Sequence, residues 1–198
     1  MRASIVAKAI TMAIVTMTSL SSIAEPSAAT SCPPYGFVNH PNNNVNLAKN
    51  PSFERCIGPQ SAYGSFTPSA AVDWVMHSDN YNAKVSSECV VTHAPGPNGA
   101  RMLHFVAGGG EGGVIQFMAS PPPKVMFSAW VFVTKGFVQI QPHGGGGGPV
   151  AHSSKRGEWE QLRVCSDGSV PTDAYIILNQ DPAGGEFYVD RVEIKALP

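Results

Sequence analysis

Charge is scarce in this chain. Asp, Glu, Lys and Arg make up only 14% of its 198 residues, and the formal net charge is −1. No stretch gathers lysines and arginines against a phosphate backbone, so nucleic acid is not an expected partner. No two cysteines stand at CxxC spacing, which argues against a zinc or redox site. After the first residues, apolar positions never recur at helical spacing over a useful length. No GxSxG surrounds Ser128, so the hydrolase elbow is missing. The glycines after His143 lack the Lys-Ser/Thr of a phosphate loop. No internal repeat is visible, which disfavours a propeller or solenoid.

What is present begins with a leader. Arg2 and Lys8 precede an apolar run, "AITMAIVTMTSL", from Ala9 to Leu20, and Ser22-Ile23-Ala24 follows with small residues at the positions a signal peptidase reads. The run contains threonines and is short of the roughly 20 residues of a membrane helix. Residues 1–24 are therefore read as a signal peptide, 25–44 as an N-terminal extension and 45–198 as the folded domain. The mature chain is expected to be secreted or periplasmic, with no membrane span. Four cysteines (Cys32, Cys56, Cys89 and Cys165) in an exported chain predict two disulfides. Three pairings are open. The favoured one joins Cys32 to Cys56, pinning the extension to the start of the domain, and leaves Cys89 with Cys165.

Glycine (20) and proline (17) are frequent and mark turns such as "APGPNG", "GGGEGG", "SPPP" and "DPAGG". Between them lie strand signals. These start at Ala71, Ala83, Arg101, Gly113, Lys124, Phe137, Glu158, Asp173 and Glu186. "NLAKNPSFERC", from Asn46 to Cys56, reads as an opening strand that ends on a carboxylate, Glu54. About ten short strands predict an all-β sandwich of two antiparallel sheets.

The order of motifs adds a resemblance. "NLAKNPSFE" comes first, then Trp74 in "AVDW", Gly99 before "ARMLHF", Gln116 in "GGVIQFMASPPP", "VMFSAWVFV", Trp159 in "GEWEQLRV", and finally "FYVDRVEI". Together they resemble the jelly-roll carbohydrate-binding modules of bacterial cellulases and xylanases (families four, nine and twenty-two), which share the galactose-binding-like sandwich. The resemblance runs from about Val45 to Lys195. It implies a jelly-roll fold, non-catalytic binding of an oligo- or polysaccharide, and core positions for Trp130 and Trp159. It also implies a structural calcium held by the acids of the first and last motifs, here Glu54 and Asp190. Such an ion takes six to eight oxygens, many of them from main chain.

Sugar recognition needs flat aromatic faces and planar polar groups. In "FVQIQPH" strand alternation puts Gln139, Gln141 and His143 on one face, opposite Val138 and Ile140. Tyr63, Phe66 and Tyr81 lie in polar, turn-rich stretches and are the candidate platforms, with Trp74 a lesser one. The pentaglycine after His143 reads as a loop at the cleft rim. Glycoside hydrolysis needs two carboxyls roughly 5–10 Å apart. Among Asp73, Asp79, Glu111, Glu158 and Glu160 nothing in the sequence pairs two. A second reading keeps the scaffold as an envelope protein-interaction or structural domain without a sugar site. Oligomeric state is not legible.

Overall fold

The structure, a computed structural model, describes residue 32 and residues 45–63, 69–80, 82–91, 100–144 and 147–198. Two six-stranded antiparallel sheets face each other. The strands are β1 (Gln60–Tyr63), β2 (Ser69–Ala71), β3 (Trp74–Ser78), β4 (Lys84–Val91), β5 (Arg101–Ala107), β6 (Gly112–Phe117), β7 (Val125–Lys135), β8 (Val138–His143), β9 (Ala151–His152), β10 (Trp159–Ser166), β11 (Ala174–Asn179) and β12 (Gly185–Ala196). The first sheet runs β1-β4-β5-β12-β7-β10 and the second β2-β3-β6-β11-β8-β9. No helix occurs among the described residues. The expected jelly-roll β-sandwich is therefore the fold.

Side-chain alternation builds the core. Val138 and Ile140 of β8, Phe127, Val131 and Val133 of β7, Leu103 and Phe105 of β5, and Phe187 and Val189 of β12 point inward and are almost wholly buried. The strand signals of the sequence fall on β3 to β8 and β10 to β12. Short β1, β2 and β9 carry too few alternating residues to be read as strands.

The opening stretch departs from expectation. Asn46–Cys56 forms turns and bends, with no strand. Asn50 and Phe53 have φ of 46° and 54°, in the left-handed region, which turns the chain back on itself. Asn50 holds the bend through its amide: Nδ2 donates to Arg55 O and Val72 O, both at 3.0 Å, and Oδ1 accepts from Arg55 N at 3.0 Å. For a bulky residue such as Phe53 this conformation costs roughly 1–3 kcal/mol. Complete burial of its ring against Trp74, with centroids 5.3 Å apart, returns roughly 1.5–3 kcal/mol.

This segment nevertheless completes the first sheet. β12 pairs with β5 only as far as Val189. Beyond that point Leu47 N donates to Ile194 O and Val192 N donates to Pro51 O, both at 2.8 Å. Asn46 brackets the same strand, with Nδ2 donating to Val192 O at 2.8 Å and Oδ1 accepting from Ile194 N at 3.0 Å. Buried Gln116 clamps the segment from the second sheet. Its Oε1 accepts from Lys49 N and its Nε2 donates to Lys49 O, each at 2.8 Å.

The disulfides correct the favoured pairing. Cys32 bonds Cys165 and Cys56 bonds Cys89, and none of the four is free. Because Asn46–Cys56 bends, Cys56 arrives beside β4, where Cys89 packs against the core. The extension is instead tied to β10 through Cys165.

Candidate functional site

The outer face of the second sheet carries a cleft of about 610 Å³. Cross-strand register assembles it in rows. One row reads Val75, Ile115, Ile176, Gln141 across β3, β6, β11 and β8. The next reads His77, Gly113, Leu178, Gln139, His152, ending on β9. A third reads Phe117, Ala174, His143. Ile115, Ala174, Ile176 and Leu178 form a small apolar cluster separate from the main core, and they floor the cleft. Gly113 lies in the middle of the floor, where a Cβ would strike the β11 backbone at Ile177 and Leu178.

Gln139, Gln141 and His143 share this cleft, as the alternation of β8 predicts. Their polar atoms are already ordered. His152 Nε2 meets Gln139 Oε1 at 3.0 Å, Gln139 Nε2 donates to Gln141 Oε1 at 3.1 Å, and Gln141 Nε2 donates to Gly148 O at 3.2 Å. The glycine loop thus meets the amide row at the cleft edge, closed by Gly147 N donating to Gly144 O at 2.9 Å. His143 Nδ1 is shielded and has no hydrogen-bond partner among the described residues.

The opposite side of the cleft carries acids that the sequence does not pair. Asp79 N donates to Glu111 O at 3.2 Å, which brings the two side chains together, and Gln180 lines the same wall. Burial, the Asp79 hydrogen bond and the Asp79 charge push the Glu111 carboxyl up, against the Gln180 bond and the charge of His77. His77 Nε2 lies 2.6 Å from Asp79 Oδ1. Asp173 also lines the cleft, and no lysine or arginine does among the described residues. Asp79 follows β3 directly, while Glu111 sits in the glycine turn before β6. Only the β3–β6 pairing makes them neighbours, and no local motif announces it.

The aromatic candidates fare differently. Trp74 is not a platform. It is fully buried, and its Nε1 donates to Lys49 O at 3.1 Å and to Asn50 O at 3.4 Å. Tyr63 is exposed but ends β1 at the edge of the other sheet, and it does not line the cleft. Phe66 and Tyr81 lie outside the described residues. Phe117, unmarked in the sequence reading, lines the cleft and is half exposed. Trp130 and Trp159 are not core residues either: both are half-buried on strands of the first sheet, with Trp159 on its outer face.

Glu54 and Asp190 are brought near enough for the charge of one to act on the other. Asp190 is buried, and its carboxyl is pushed up to about 6. Burial is the main cause. The Arg191 N–H at 2.7 Å and the Arg191 charge pull it down, and the Glu54 charge pushes it further up. Asp190 Oδ2 is buried with no hydrogen-bond partner among the described residues. Glu54 Oε1 accepts from Ala100 N at 3.0 Å and Arg101 N at 3.1 Å. An orphaned carboxylate oxygen within electrostatic reach of a second carboxylate offers oxygen donors of the kind a hard cation takes. No cluster of three His, Cys, Asp or Glu able to hold a metal occurs among the described residues, so any remaining ligands would be main-chain or water oxygens.

No family model and no curated protein matches the chain. Solved structures do. TmCBM61, in a complex with beta-1,4-galactotriose, matches with a TM-score of 0.50 at 18% identity, over 77% of this chain and 99% of its own. A family 11 carbohydrate-binding module of a cellulosomal cellulase of Clostridium thermocellum matches with a TM-score of 0.48 at 13% identity, over 72% and 96%. The xylan-binding CBM22-1 domain of Paenibacillus barcinonensis follows, with a TM-score of 0.46 at 13% identity, over 71% and 96%. At these identities the likeness is one of fold. The chain has the jelly-roll sandwich of carbohydrate-binding modules.

Proposed function

We propose that the cleft of the second sheet binds an oligo- or polysaccharide chain without acting on it, outside the cytoplasm. The observation that carries this reading is the meeting of an apolar floor with a prearranged row of amides. Ile115, Ile176 and Leu178 offer a surface for the C–H faces of sugar rings. Gln139, Gln141 and His143 offer donors and acceptors for hydroxyls at one wall, and Asp79, Glu111 and Gln180 do so at the other. The two sulfur bridges accord with a secreted or periplasmic location.

An open cleft gains affinity by adding subsites. The ligand is therefore a chain, bound at about −4 to −8 kcal/mol, or millimolar to micromolar. Calcium at Glu54 and Asp190 is the proposed structural ion. It would neutralise a buried charge where the N-terminal segment meets the last strand, and it would take no part in sugar binding. Calorimetry of the mature chain against soluble galactan, xylan, β-glucan and cello-oligosaccharides tests the reading. Silence across that panel and a broad glycan array would overturn it.

A further inference from the structure

The outer face of the first sheet carries a second groove, of about 480 Å³, on the side of the sandwich away from the cleft. Its axis is a single cross-strand row. Glu88 of β4 pairs His104 of β5, His104 pairs Tyr188 of β12, Tyr188 pairs Phe132 of β7, and Phe132 pairs Trp159 of β10. The rings pack along the row. His104 stacks on Tyr188 with centroids 4.5 Å apart and planes at 13°, and Phe132 lies 6.1 Å from Tyr188 and 5.7 Å from Trp159. Such a face turned outward leaves an apolar surface that a monomeric domain would ordinarily bury or break with charge.

Two features say what covers it. The first is the aliphatic company of the rings. Val90, Val91 and Met102 line one end, with Val91 57% exposed. The groove's polar lining, besides the Tyr188 hydroxyl, is Glu88, His104 and Thr134. Trp, Tyr, Phe and Met beside valines are the composition of a protein interface core. The second is charge. Glu88 and Glu186 flank His104, at 3.4 Å from Nδ1 and 2.9 Å from Nε2. One imidazole cannot neutralise two carboxylates, and both carboxylates help burial raise the Tyr188 phenol. No lysine or arginine lines the groove among the described residues. Lys84 borders a neighbouring polar hollow, and the Lys135 ammonium donates to Ala183 O at 3.2 Å.

From the aromatic row and its flanking carboxylates, we propose that this groove docks a basic, extended segment of a protein partner. An arginine of that segment stacks on the Phe132–Trp159 end or pairs with Glu88 and Glu186, and an apolar side chain enters among Val90, Val91 and Met102. Guanidinium suits the site because it is flat, weakly hydrated and able to meet a carboxylate with two N–H groups. The inference is independent of the sugar-cleft reading.

The test uses the full mature chain and two labelled decapeptides, one alternating arginine with valine and the other glutamate with valine, read by fluorescence anisotropy. The arginine peptide should bind with a dissociation constant on the order of micromolar to millimolar. The Glu88→Gln/Glu186→Gln double variant, which keeps the shape of both side chains, should weaken it by roughly tenfold. Val91→Lys, at an exposed position, should weaken it as well if the double variant proves unstable. Asp79→Asn/Glu111→Gln in the cleft should leave it unchanged. Three results would overturn the proposal. They are no binding of the arginine peptide, binding lost through the cleft variant instead, and equal binding of the glutamate peptide. A neutral oligosaccharide displaced by Trp159→Phe but not by Gln141→Ala would also overturn it, by making the groove a second sugar site.

Discussion

The side chains of Gln139 and Gln141, two residues apart on β8, hydrogen-bond each other at 3.1 Å, and Gln141 in turn reaches Gly148 O. A ligand hydroxyl therefore meets amides whose orientation is set before it arrives, which lowers the ordering cost of binding. Gln141→Ala removes the middle of this chain. It should weaken binding of the best glycan by roughly tenfold, in line with about 1–1.5 kcal/mol for a neutral hydrogen bond. The half-buried amide contributes little to folding, so the melting temperature should stay unchanged. Calorimetry and thermal melting on the same samples separate the two effects.

Asp190 makes stability depend on pH in an unusual direction. Its folded-state value of about 6 lies above the ordinary 3.8, so the folded protein holds this proton more tightly than the unfolded chain. The corresponding stability is fully present below the unfolded value and is lost as pH rises through about 6. The difference is worth roughly 3 kcal/mol. Metal-free protein should thus melt higher at pH 5 than at pH 7, and Asp190→Asn should remove most of that difference, leaving the smaller part that the raised Glu111 carboxyl contributes with the same sign. If calcium occupies the site, saturating calcium at pH 7 should restore the lost stability in the native protein and do nothing for Asp190→Asn. A chelator-treated native protein with no pH or calcium dependence would remove both ideas.

Trp74 is a structural residue. Trp74→Ala should cost roughly 3–5 kcal/mol, the range for large aromatic truncations in a core. Trp74→Phe keeps much of the volume but removes one of the two donors to Lys49 O, the other being Gln116 Nε2, at a cost of about 0.5–1.5 kcal/mol. Neither should change glycan affinity once unfolded material is accounted for. Denaturant titration alongside binding checks this, and a selective loss of binding in a stable Trp74→Phe protein would contradict it.

Peptide mapping without reduction should recover Cys32 joined to Cys165 and Cys56 joined to Cys89. In the chain-entropy view, closing sequence separations of 133 and 33 residues is worth roughly 5 and 4 kcal/mol. Removing the Cys32–Cys165 bridge should therefore lower denaturant resistance at least as much as removing the other. The reverse order would mean that the unfolded chain is already constrained near Cys32.

The long strands were legible because their alternation is strong. Arg101–Ala107 lies between glycine-rich stretches of sequence that mark both of its ends, and β8 discloses the whole polar wall of the cleft. The opening segment was misread because its apolar residues imitate a strand, while Asn50 and Phe53 adopt positive φ, a property that composition does not display. Trp74 was misjudged because an aromatic in a short strand looks the same from sequence whether its face meets water or Phe53. The Asp79–Glu111 contact was hidden for a different reason. It arises from register between β3 and β6, and register is settled by the sheet as a whole. The disulfide pairing followed the misread opening segment and failed with it.

β12, the last strand in the chain, lies in the interior of the first sheet between β5 and β7. Before residues 185–196 emerge, that sheet exists only as two unconnected halves, β1-β4-β5 and β7-β10, each with an unpaired inner edge. The backbone of Leu47 and Pro51 likewise lacks its β12 partners, Ile194 and Val192, until the same moment. Assembly of this sheet therefore waits for residues 185–196, and its slow step is insertion of a central strand rather than addition at a margin. Such non-local closure places folding in the millisecond-to-second range. A chain stalled or clipped before β12 would display two open sheet edges to its neighbours, the condition under which β proteins aggregate.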